Sequence, residues 1–306
     1  MQSTEVYFNK AKKDFYKFVK SQETKTDKFY NKDLMLKKLI LVSIWIIKRM
    51  KKNKTLIIGL AGGQGTGKTT ISSILKLILV KSFSLNVFKI SIDDFYKSRK
   101  ERIKMSKLIH PLLLTRGVPG THDTNYIIDF FKKLKGKKFS TVNLPKFDKS
   151  IDDRVKKNRW YKIKSRPDIV ILEGWCVGAS PQKKNQLLRP INILEKKEDD
   201  LLKWRKYVNF QLKNKYKKFH KMLDCFLYLK AKNFSMLKKW RLKQERKLVL
   251  NSKNKKNLKI MNKNEVLRFM MTYQRITEHM FKTAERNASI VMKLNNKHQI
   301  LNIKYK

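Results

Sequence analysis

A glycine-rich segment that ends in a lysine and threonines carries the clearest chemistry in this sequence. Residues 62–69 read GGQGTGKT and fit the phosphate-binding pattern G-x-x-x-x-G-K-[ST]. Glycines let successive backbone N–H groups point at phosphate oxygens, and a following helix adds its positive dipole end. Lys68 would then reach the β- and γ-phosphates, and the Thr69 hydroxyl would ligate Mg²⁺. The predicted nucleotide-binding residues are Gly62, Gly63, Gln64, Gly65, Thr66, Gly67, Lys68, Thr69 and Thr70.

The flanks of this segment distinguish a nucleotide site from an ordinary glycine-rich turn. Residues 55–61 form a short apolar run with β-branched side chains, as a buried strand requires. Apolar residues then recur at helical spacing at Ile71, Ile74, Leu75, Ile78 and Leu79. Strand, loop and helix therefore stand in the order that phosphate binding needs.

Acidic residues close two further predicted strands. Residues 87–92 lead into Asp93, Asp94 and Tyr96, and the apolar run 168–172 leads into Glu173. In an open α/β sheet, ligands bind at the carboxyl ends of the strands. An acidic residue that closes an apolar strand matches the Walker-B arrangement, so Glu173 is predicted to hold Mg²⁺ or to polarise a substrate hydroxyl.

Two irregular segments combine cations with carboxylates. The sequence HPLLLTRGVPGTHD carries Arg116, His122 and Asp123, and its prolines and glycines argue against a regular element. A second segment follows a predicted strand at residues 139–144 and carries Lys146, Asp148 and Arg154. Loops of this kind often hold substrates, and a solvated surface turn is the competing interpretation.

The charge of the chain is extreme. Its 306 residues include 74 Lys and Arg against 24 Asp and Glu, a formal net charge of +50. This could indicate a polyanionic partner, but the lysines are spread along the chain and Arg is the minority, so we favour compositional drift over a nucleic-acid function. The two cysteines, Cys176 and Cys225, show no C-x-x-C or zinc spacing, which predicts a reduced, cytoplasmic compartment.

Strands and helices alternate along most of the chain. This predicts an α/β fold with a mostly parallel central sheet and helices on both faces. Residues 1–53 are predicted as an N-terminal helical extension, in which Asn31 or Asp33 caps the second helix, and residues 54–306 as the main domain. The apolar run at residues 34–47 is too short to span a bilayer, so no membrane partner is expected. The Lys/Asn-rich residues 251–264 are predicted as an exposed loop.

The motifs occur in a recognisable order. The phosphate loop, SIDDFY, RGVPGTHD, LPKFDKSIDDR, ILEGW, WRLKQE and ASIVMKLNNKHQI together resemble the plant-type D-glycerate 3-kinases and their fungal and bacterial relatives. These belong to the P-loop superfamily that includes uridine kinase, phosphoribulokinase and pantothenate kinase. The resemblance covers residues 55–305, and RGVPGTHD, LPKFDKS and WRLKQE are the motifs that narrow it to the glycerate kinase-like branch.

The resemblance implies a P-loop NTPase three-layer fold and a reaction. The γ-phosphoryl group of ATP would be transferred to a small anionic hydroxyl substrate, most specifically D-glycerate, to give 3-phosphoglycerate. Asp93 would be the catalytic base, Glu173 and Thr69 would position Mg²⁺, and Arg241 resembles the lid arginine that closes over the phosphates. Lys68 completes the expected catalytic set.

The acceptor side is expected in the two cation-rich segments. Arg116, His122, Lys146 and Arg154 are candidates for holding a carboxylate, and Asp94, Tyr96, Asp123 and Asp148 complete the predicted acceptor site. Phe147 stands where Tyr is common in the family, which removes one hydroxyl. Three alternatives stay open: a kinase for a uridine- or pantothenate-like acceptor, a nucleic-acid-binding ATPase, and a nucleotide-binding protein with little turnover. The sequence leaves the oligomeric state undetermined.

Overall fold

A computed structural model describes residues 3–24, 28–251 and 261–306. In these residues the helices are α1 (Thr4–Gln22), α2 (Lys32–Ile47), α3 (Lys68–Phe83), α4 (Arg99–Leu108), α5 (Thr124–Lys135), α6 (Lys184–Leu188), α7 (Ile193–Glu198), α8 (Lys203–Gln211), α9 (Lys217–His220), α10 (Phe234–Asn251) and α11 (Lys263–Asn287). The strands are β1 (Leu56–Gly62), β2 (Val87–Ser91), β3 (Val142–Leu144), β4 (Phe147–Asp148), β5 (Asp153–Arg154), β6 (Tyr161–Ile163), β7 (Ile169–Gly174), β8 (Cys225–Lys230), β9 (Ile290–Leu294) and β10 (Ile300–Tyr305).

The main sheet has six strands in the order β10-β9-β8-β1-β7-β2. Neighbouring strands are parallel except for the terminal hairpin, in which β10 runs antiparallel to β9. This confirms the mostly parallel sheet. The small antiparallel pairs β3–β6 and β4–β5 lie outside it.

Alternate residues of the central strands face two separate apolar cores. Ile57 and Ala61 of β1 pack on the side covered by α5, α8 and the C-terminal half of α11, whereas Ile58 and Leu60 pack on the side of α1, α2, α3 and α10. Both faces of the sheet are thus covered, which explains why the strands are near-continuous apolar runs and not alternating ones.

The N-terminal helices share the second of these cores. Ala11 and Phe15 of α1 are fully buried, and the Ser82 hydroxyl of α3 donates a 2.8 Å hydrogen bond to the backbone oxygen of Tyr7. The division of the chain at residue 53 stays a prediction. The predicted side-chain cap of α2 is wrong: Asn31 occupies the N-cap position in a left-handed conformation without a capping hydrogen bond, and the Asp33 carboxylate accepts from Tyr16.

Two helices extend into the stretch that was predicted as an exposed loop. α10 continues to Asn251 and α11 begins at Lys263, so the ends of this stretch are helical, and residues 252–260 lie outside the described residues. Within the described parts of the chain, none of the helices has the length and apolar character needed to cross a membrane.

The sheet order places three chemically important strand ends side by side. β7 lies between β1 and β2, and its residue Glu173 is in register with Leu60 on one side and with Ser91 on the other. The glycine-rich loop after β1, the carboxylate of β7 and the Asp93-Asp94 turn after β2 therefore lie at one edge of the sheet.

Candidate active site

The glycine-rich loop has the backbone that phosphate binding requires. Gly65 and Gly67 have φ angles of +77° and +83°, a region that is costly for residues with a Cβ. α3 begins at Lys68, so its N-terminus faces the loop. The Nζ atom of Lys68 donates a 2.9 Å hydrogen bond to the Gly63 backbone oxygen. Burial lowers the Lys68 pKa, and the nearby charges of Glu173 and Asp93 oppose that shift.

Thr69 and Glu173 meet at the base of this loop. The Thr69 hydroxyl donates a 3.0 Å hydrogen bond to Oε1 of Glu173, whose side chain is buried on β7. Hard oxygen ligands of this kind suit Mg²⁺, which is usually held by one or two protein oxygens and by substrate phosphates. The described residues contain no cluster of three or more His, Cys, Asp and Glu side chains that could hold a metal ion.

Asp93 lies in the 3₁₀ turn (Ile92–Phe95) that directly follows β2. The Ser91 hydroxyl accepts a 3.3 Å hydrogen bond from the Asp93 N–H and so caps the turn. Oδ2 of Asp93 lies 2.6 Å from the Nζ atom of Lys149. Burial raises the pKa of Asp93, but the Lys149 ammonium, together with weaker contributions that include a hydrogen bond to the Tyr96 side chain, brings the pKa below its ordinary value. Asp93 is therefore ionised at neutral pH.

Asp94 points to a different partner. Its Oδ1 accepts a 3.3 Å hydrogen bond from the Phe147 N–H at the start of the β4–β5 hairpin. Burial raises the pKa of Asp94 to about 6. Burial, the Asp94 charge and a hydrogen bond to Asp94 also raise the pKa of Tyr161 to about 12. The Asp94 carboxylate thus anchors the hairpin, and its predicted role in substrate binding stays a prediction.

The segment that contains Arg116 and His122 is held against the turn after β2. The Asp123 N–H donates a 2.7 Å hydrogen bond to the Phe95 backbone oxygen, and the Lys97 N–H donates a 2.8 Å bond to the Thr121 backbone oxygen. The indole N–H of Trp175 donates a 2.9 Å bond to the Gly117 backbone oxygen. These hydrogen bonds thus hold the predicted irregular segment in place next to the turn that contains Asp93.

Two arginines, Arg116 in this segment and Arg154 on β5, both have protein partners. Arg116 pairs with the Asp152 carboxylate of the β4–β5 hairpin. Nε of Arg154 donates a 2.7 Å bond to the Tyr96 backbone oxygen, and its Nη2 lies 3.3 Å from Oδ2 of Asp123. About a quarter of the Arg116 side chain is exposed (28%). The ion pairs of the two arginines therefore connect the two cation-rich segments, which lie next to each other.

His122 does not supply the positive charge expected of it. Its ring stacks on Tyr96 with centroids 4.5 Å apart, and its Nδ1 is hydrogen-bonded to the Tyr216 hydroxyl. Burial lowers the pKa of His122 to about 4, so the ring is neutral at pH 7. The cationic role of His122 in anion binding is thus corrected. Its Nε2 is buried without a hydrogen-bond partner in the described residues, so it retains capacity for one hydrogen bond.

The β4–β5 hairpin contributes a different lysine from the predicted one. Lys146 is exposed, and its Nζ lies 5.7 Å from the centre of the Tyr161 ring. Asp148 accepts 2.9 Å and 2.6 Å hydrogen bonds from the N–H and hydroxyl of Ser150, which close the hairpin turn. The predicted substrate contacts of Lys146 and Asp148 stay predictions. Lys149 reaches Asp93 instead, and the LPKFDKS motif contains it, but the order of residues alone does not show which lysine points inward.

α10 lies directly on the phosphate loop. A Cβ atom built on Gly63 would fall 2.3 Å from Cδ1 of Leu237, and one on Gly65 would fall 2.9 Å from the Cβ of Trp240 and 3.3 Å from the backbone nitrogen of Arg241. Arg241 is therefore beside the loop, where it forms an ion pair with Glu245 one turn further along α10.

The turn between β9 and β10 also reaches the phosphate loop. Nε2 of His298 is hydrogen-bonded at 2.7 Å to the Gly65 backbone oxygen, and its ring lies 3.9 Å from the Trp240 ring, measured between centroids. Sequence reasoning included His298 only as part of the terminal motif. The contact of His298 with the loop appears only in the structure, because β9 and β1 are far apart in the chain but only β8 lies between them in the sheet.

Comparisons with known proteins agree with this geometry. No protein-family model matches the chain. It is 30% identical over 205 residues to the uncharacterized kinase mug58 of Schizosaccharomyces pombe, which covers 64% of this chain and 72% of that protein. It is 27% identical over 198 residues to the chloroplastic D-glycerate 3-kinase of Arabidopsis thaliana, covering 62% of this chain but only 41% of that protein. A pantothenate kinase of Lactococcus lactis is 30% identical over 164 residues, covering 53% of this chain and 46% of the kinase.

Solved structures show the same architecture. The D-glycerate 3-kinase of Cryptococcus neoformans superposes with a TM-score of 0.73 at 23% identity, covering 88% of this chain and 99% of that one. The YGR205w protein superposes with a TM-score of 0.67 at 26% identity, covering 89% of this chain and 98% of that one. The three-layer P-loop kinase fold is thereby confirmed.

Proposed function

Because this chain belongs to the family of P-loop kinases related to D-glycerate 3-kinase, we propose that it phosphorylates D-glycerate to 3-phosphoglycerate with ATP and Mg²⁺. The observation that carries the proposal is the arrangement at the edge of the sheet. A phosphate loop, the Thr69–Glu173 pair and the ionised Asp93 lie on neighbouring strand ends, with the cation-rich segments beside Asp93.

Each part of this arrangement has a place in phosphoryl transfer. The loop N–H groups, Lys68 and the α3 N-terminus bind the phosphates of ATP. When bound, Mg²⁺ would neutralise charge on the β- and γ-phosphates, with Thr69 and Glu173 holding it. Arg241 approaches the phosphates from α10, where its backbone nitrogen would lie 3.3 Å from a Cβ atom built on Gly65.

The chemical step is an in-line displacement at the γ-phosphorus. The acceptor hydroxyl gives its proton to the Asp93 carboxylate, and its oxygen forms the new bond to phosphorus. The bond between the γ-phosphorus and the bridging oxygen breaks, and ADP leaves with that electron pair. The residues therefore act mainly by positioning the hydroxyl and by neutralising charge.

A carboxylate on the acceptor explains the surroundings of Asp93. Arg116, Arg154 and Lys149 lie on the segments that border Asp93, and guanidinium groups bind carboxylates well. Their present partners are Asp152, Asp123 and Asp93, so an anionic acceptor would compete with protein carboxylates. D-glycerate offers both the carboxylate and a primary hydroxyl.

Pantothenate is the second candidate acceptor. It also combines a carboxylate with a primary hydroxyl, and pantothenate kinases are among the relatives at 26–30% identity. It is much longer than glycerate, so it requires a longer acceptor site. D-glycerate remains our first candidate because both the Arabidopsis relative and the Cryptococcus structure carry that name.

A panel of acceptors tests the proposal. ADP release is measured with D-glycerate, L-glycerate, uridine, pantothenate and ribulose 5-phosphate, each against a control without acceptor. We expect the largest stimulation by D-glycerate. A D-glycerate rate equal to the acceptor-free rate would refute the proposal, and stimulation by pantothenate alone would favour the second candidate.

The remaining expectations about partners and location also belong to the proposal. We expect no specific nucleic-acid partner, and DNA- or RNA-stimulated ATP hydrolysis at physiological salt would contradict this. A cytoplasmic, reducing compartment is supported by Cys176 and Cys225, which are both buried free thiols.

A further inference from the structure

The ion pair between Lys149 and Asp93 connects an exposed residue of the β4–β5 hairpin to the partly buried turn after β2. The Asp93 side chain is 25% exposed, whereas the Lys149 side chain is 62% exposed, and Nζ lies 2.6 Å from Oδ2 of Asp93. An acceptor hydroxyl must lie within hydrogen-bond distance of the same carboxylate before it can give up its proton. Lys149 therefore occupies part of the space around the atoms that the acceptor hydroxyl needs.

The other groups around Asp93 cannot take the place of Lys149. The titratable groups that act on the Asp93 carboxylate are Lys68, Asp94, Tyr96, His122, Lys149, Cys176 and Tyr273. Lys68 is committed to the Gly63 backbone oxygen, and His122 is neutral at pH 7. Lys149 combines a full positive charge with a largely exposed, flexible side chain, so it can change partner at little cost.

An incoming carboxylate is a direct competitor for this ammonium. In D-glycerate only two carbon atoms, C2 and C3, separate the carboxylate from the C3 hydroxyl, so a hydroxyl at Asp93 keeps the carboxylate close to Lys149. The carboxylates of Asp93 and of D-glycerate can each accept a charge-assisted hydrogen bond from Lys149. Moving Lys149 from one to the other therefore keeps the number of such bonds the same. Once Lys149 has moved, the Asp93 carboxylate loses a positive partner and becomes a better proton acceptor.

We propose that Lys149 couples acceptor recognition to activation of the base: it pairs with Asp93 when the acceptor site is empty and with the acceptor carboxylate when the site is filled. This inference rests on the proposed function for the identity of the acceptor. It assigns two tasks to Lys149, namely selection of carboxylate-bearing acceptors and suppression of ATP hydrolysis in their absence. In the second task, the paired Asp93 is prevented from taking a proton from water in place of the acceptor hydroxyl.

The test compares four proteins: the unaltered chain, Lys149→Met, Lys149→Arg and the control Lys157→Met. Lys157 lies in an exposed turn of the same region, so its replacement changes the net charge equally. For each protein, kcat/KM is measured with D-glycerate and with glycerol, which lacks the carboxylate. ATP hydrolysis without acceptor is measured in parallel.

We expect Lys149→Met to reduce the preference for D-glycerate over glycerol by about 10- to 100-fold, the effect of one charge-assisted hydrogen bond. Acceptor-free ATP hydrolysis should rise about threefold or more, since Asp93 is no longer paired. Lys149→Arg should retain most of the preference, and Lys157→Met should match the unaltered chain. If Lys149 had only a structural role, Lys149→Met would lower kcat/KM equally for both acceptors and would leave acceptor-free ATP hydrolysis unchanged.

The outcomes separate this inference from the proposed function. If the unaltered chain phosphorylates D-glycerate and Lys149→Met keeps its acceptor preference, the assignment of Lys149 is overturned and the proposed function stands. If the unaltered chain does not phosphorylate D-glycerate, the proposed function fails. The rate of ATP hydrolysis without acceptor then tests the coupling role of Lys149. No increase in hydrolysis in Lys149→Met would then overturn its coupling role, and an increase would support it.

Discussion

The hydroxyl of Thr69 donates a 3.0 Å hydrogen bond to Oε1 of Glu173, which joins the loop after β1 to the end of β7. The two residues are 104 positions apart in the chain, and the parallel pairing of β1 with β7 brings them together. The pair thus connects the nucleotide side of the site to the sheet. In the proposed function, this pair is where a metal ion would meet the phosphates of ATP.

Replacing Glu173 by Gln should weaken the response to Mg²⁺. The amide oxygen can still accept from Thr69, so the fold should be retained, but the negative charge that attracts the ion is lost. We expect the Mg²⁺ concentration for half-maximal ADP formation to rise about tenfold or more, with a lower maximal rate. Glu198→Gln, which changes a surface ion pair with Arg268, serves as the control. An identical Mg²⁺ dependence in both variants would contradict the assignment.

Asp93 and Asp94 form a matched pair of neighbours with different partners. Asp93→Asn should lower kcat by about 10²- to 10⁴-fold, as expected for loss of a general base, while ATP binding survives. Asp94→Asn retains an oxygen that can accept from the Phe147 N–H, so we expect its turnover to stay within about tenfold of the unaltered chain. Steady-state kinetics and nucleotide titrations measure both effects. Near-normal turnover in Asp93→Asn would reject it as the base.

Gly65 should tolerate no side chain. Its φ of +77° is strained for alanine, and the added Cβ would lie 2.9 Å from the Cβ of Trp240 on α10. We expect Gly65→Ala to lower the free energy of unfolding by about 2 kcal/mol and to weaken ATP binding. Gly136→Ala is the control, since its Cβ would meet only ordinary contacts at 3.5 Å. Equal effects of the two substitutions on nucleotide affinity would show that α10 does not constrain the loop.

His220 should make the protein sensitive to acid. Its Nε2 accepts a 2.9 Å hydrogen bond from the Gly178 N–H, and burial lowers its pKa to about 3. As the pH falls, the unfolded chain takes up this proton first, near pH 6.5, so the folded state loses stability from there down to about pH 3. At pH 5 this amounts to about 2 kcal/mol from His220.

Urea denaturation at pH 7 and pH 5 measures this contribution. His220→Gln keeps an oxygen for the Gly178 N–H but does not titrate, so the difference in unfolding free energy between the two pH values should shrink by about 2 kcal/mol. The difference between pH values is the readout, because the substitution itself can change the absolute stability. An unchanged difference would mean that His220 is not the buried neutral group described.

Sequence reasoning identified the parts of the site that depend on local order along the chain. The phosphate loop, the turn at Asp93 and the carboxylate of Glu173 each follow or end an apolar strand, and a parallel sheet places such ends at one edge. The alternation of strands and helices likewise predicted the fold class. These inferences need only periodicity, loop chemistry and the rule for strand ends.

The partners of the charged side chains could not be read from the sequence. Lys146 and Lys149 are three residues apart in one motif, and only the path of the β4–β5 hairpin turns Lys149 toward Asp93. His122 was grouped with Arg116, Lys146 and Arg154 as a cationic candidate for holding a carboxylate, whereas its burial against Tyr96 and Tyr216 keeps it neutral. The contact of His298 with Gly65 was not predicted, because the two residues are 233 positions apart in the chain.

The product formed from ATP and D-glycerate tests the central claim most directly. ³¹P NMR of the reaction mixture distinguishes 3-phosphoglycerate, 2-phosphoglycerate and inorganic phosphate in one spectrum. The unaltered chain should convert the γ-phosphate of ATP into the phosphate of 3-phosphoglycerate, and Asp93→Asn should form essentially none in the same time. Release of inorganic phosphate alone, or an equal yield from Asp93→Asn, would contradict the account.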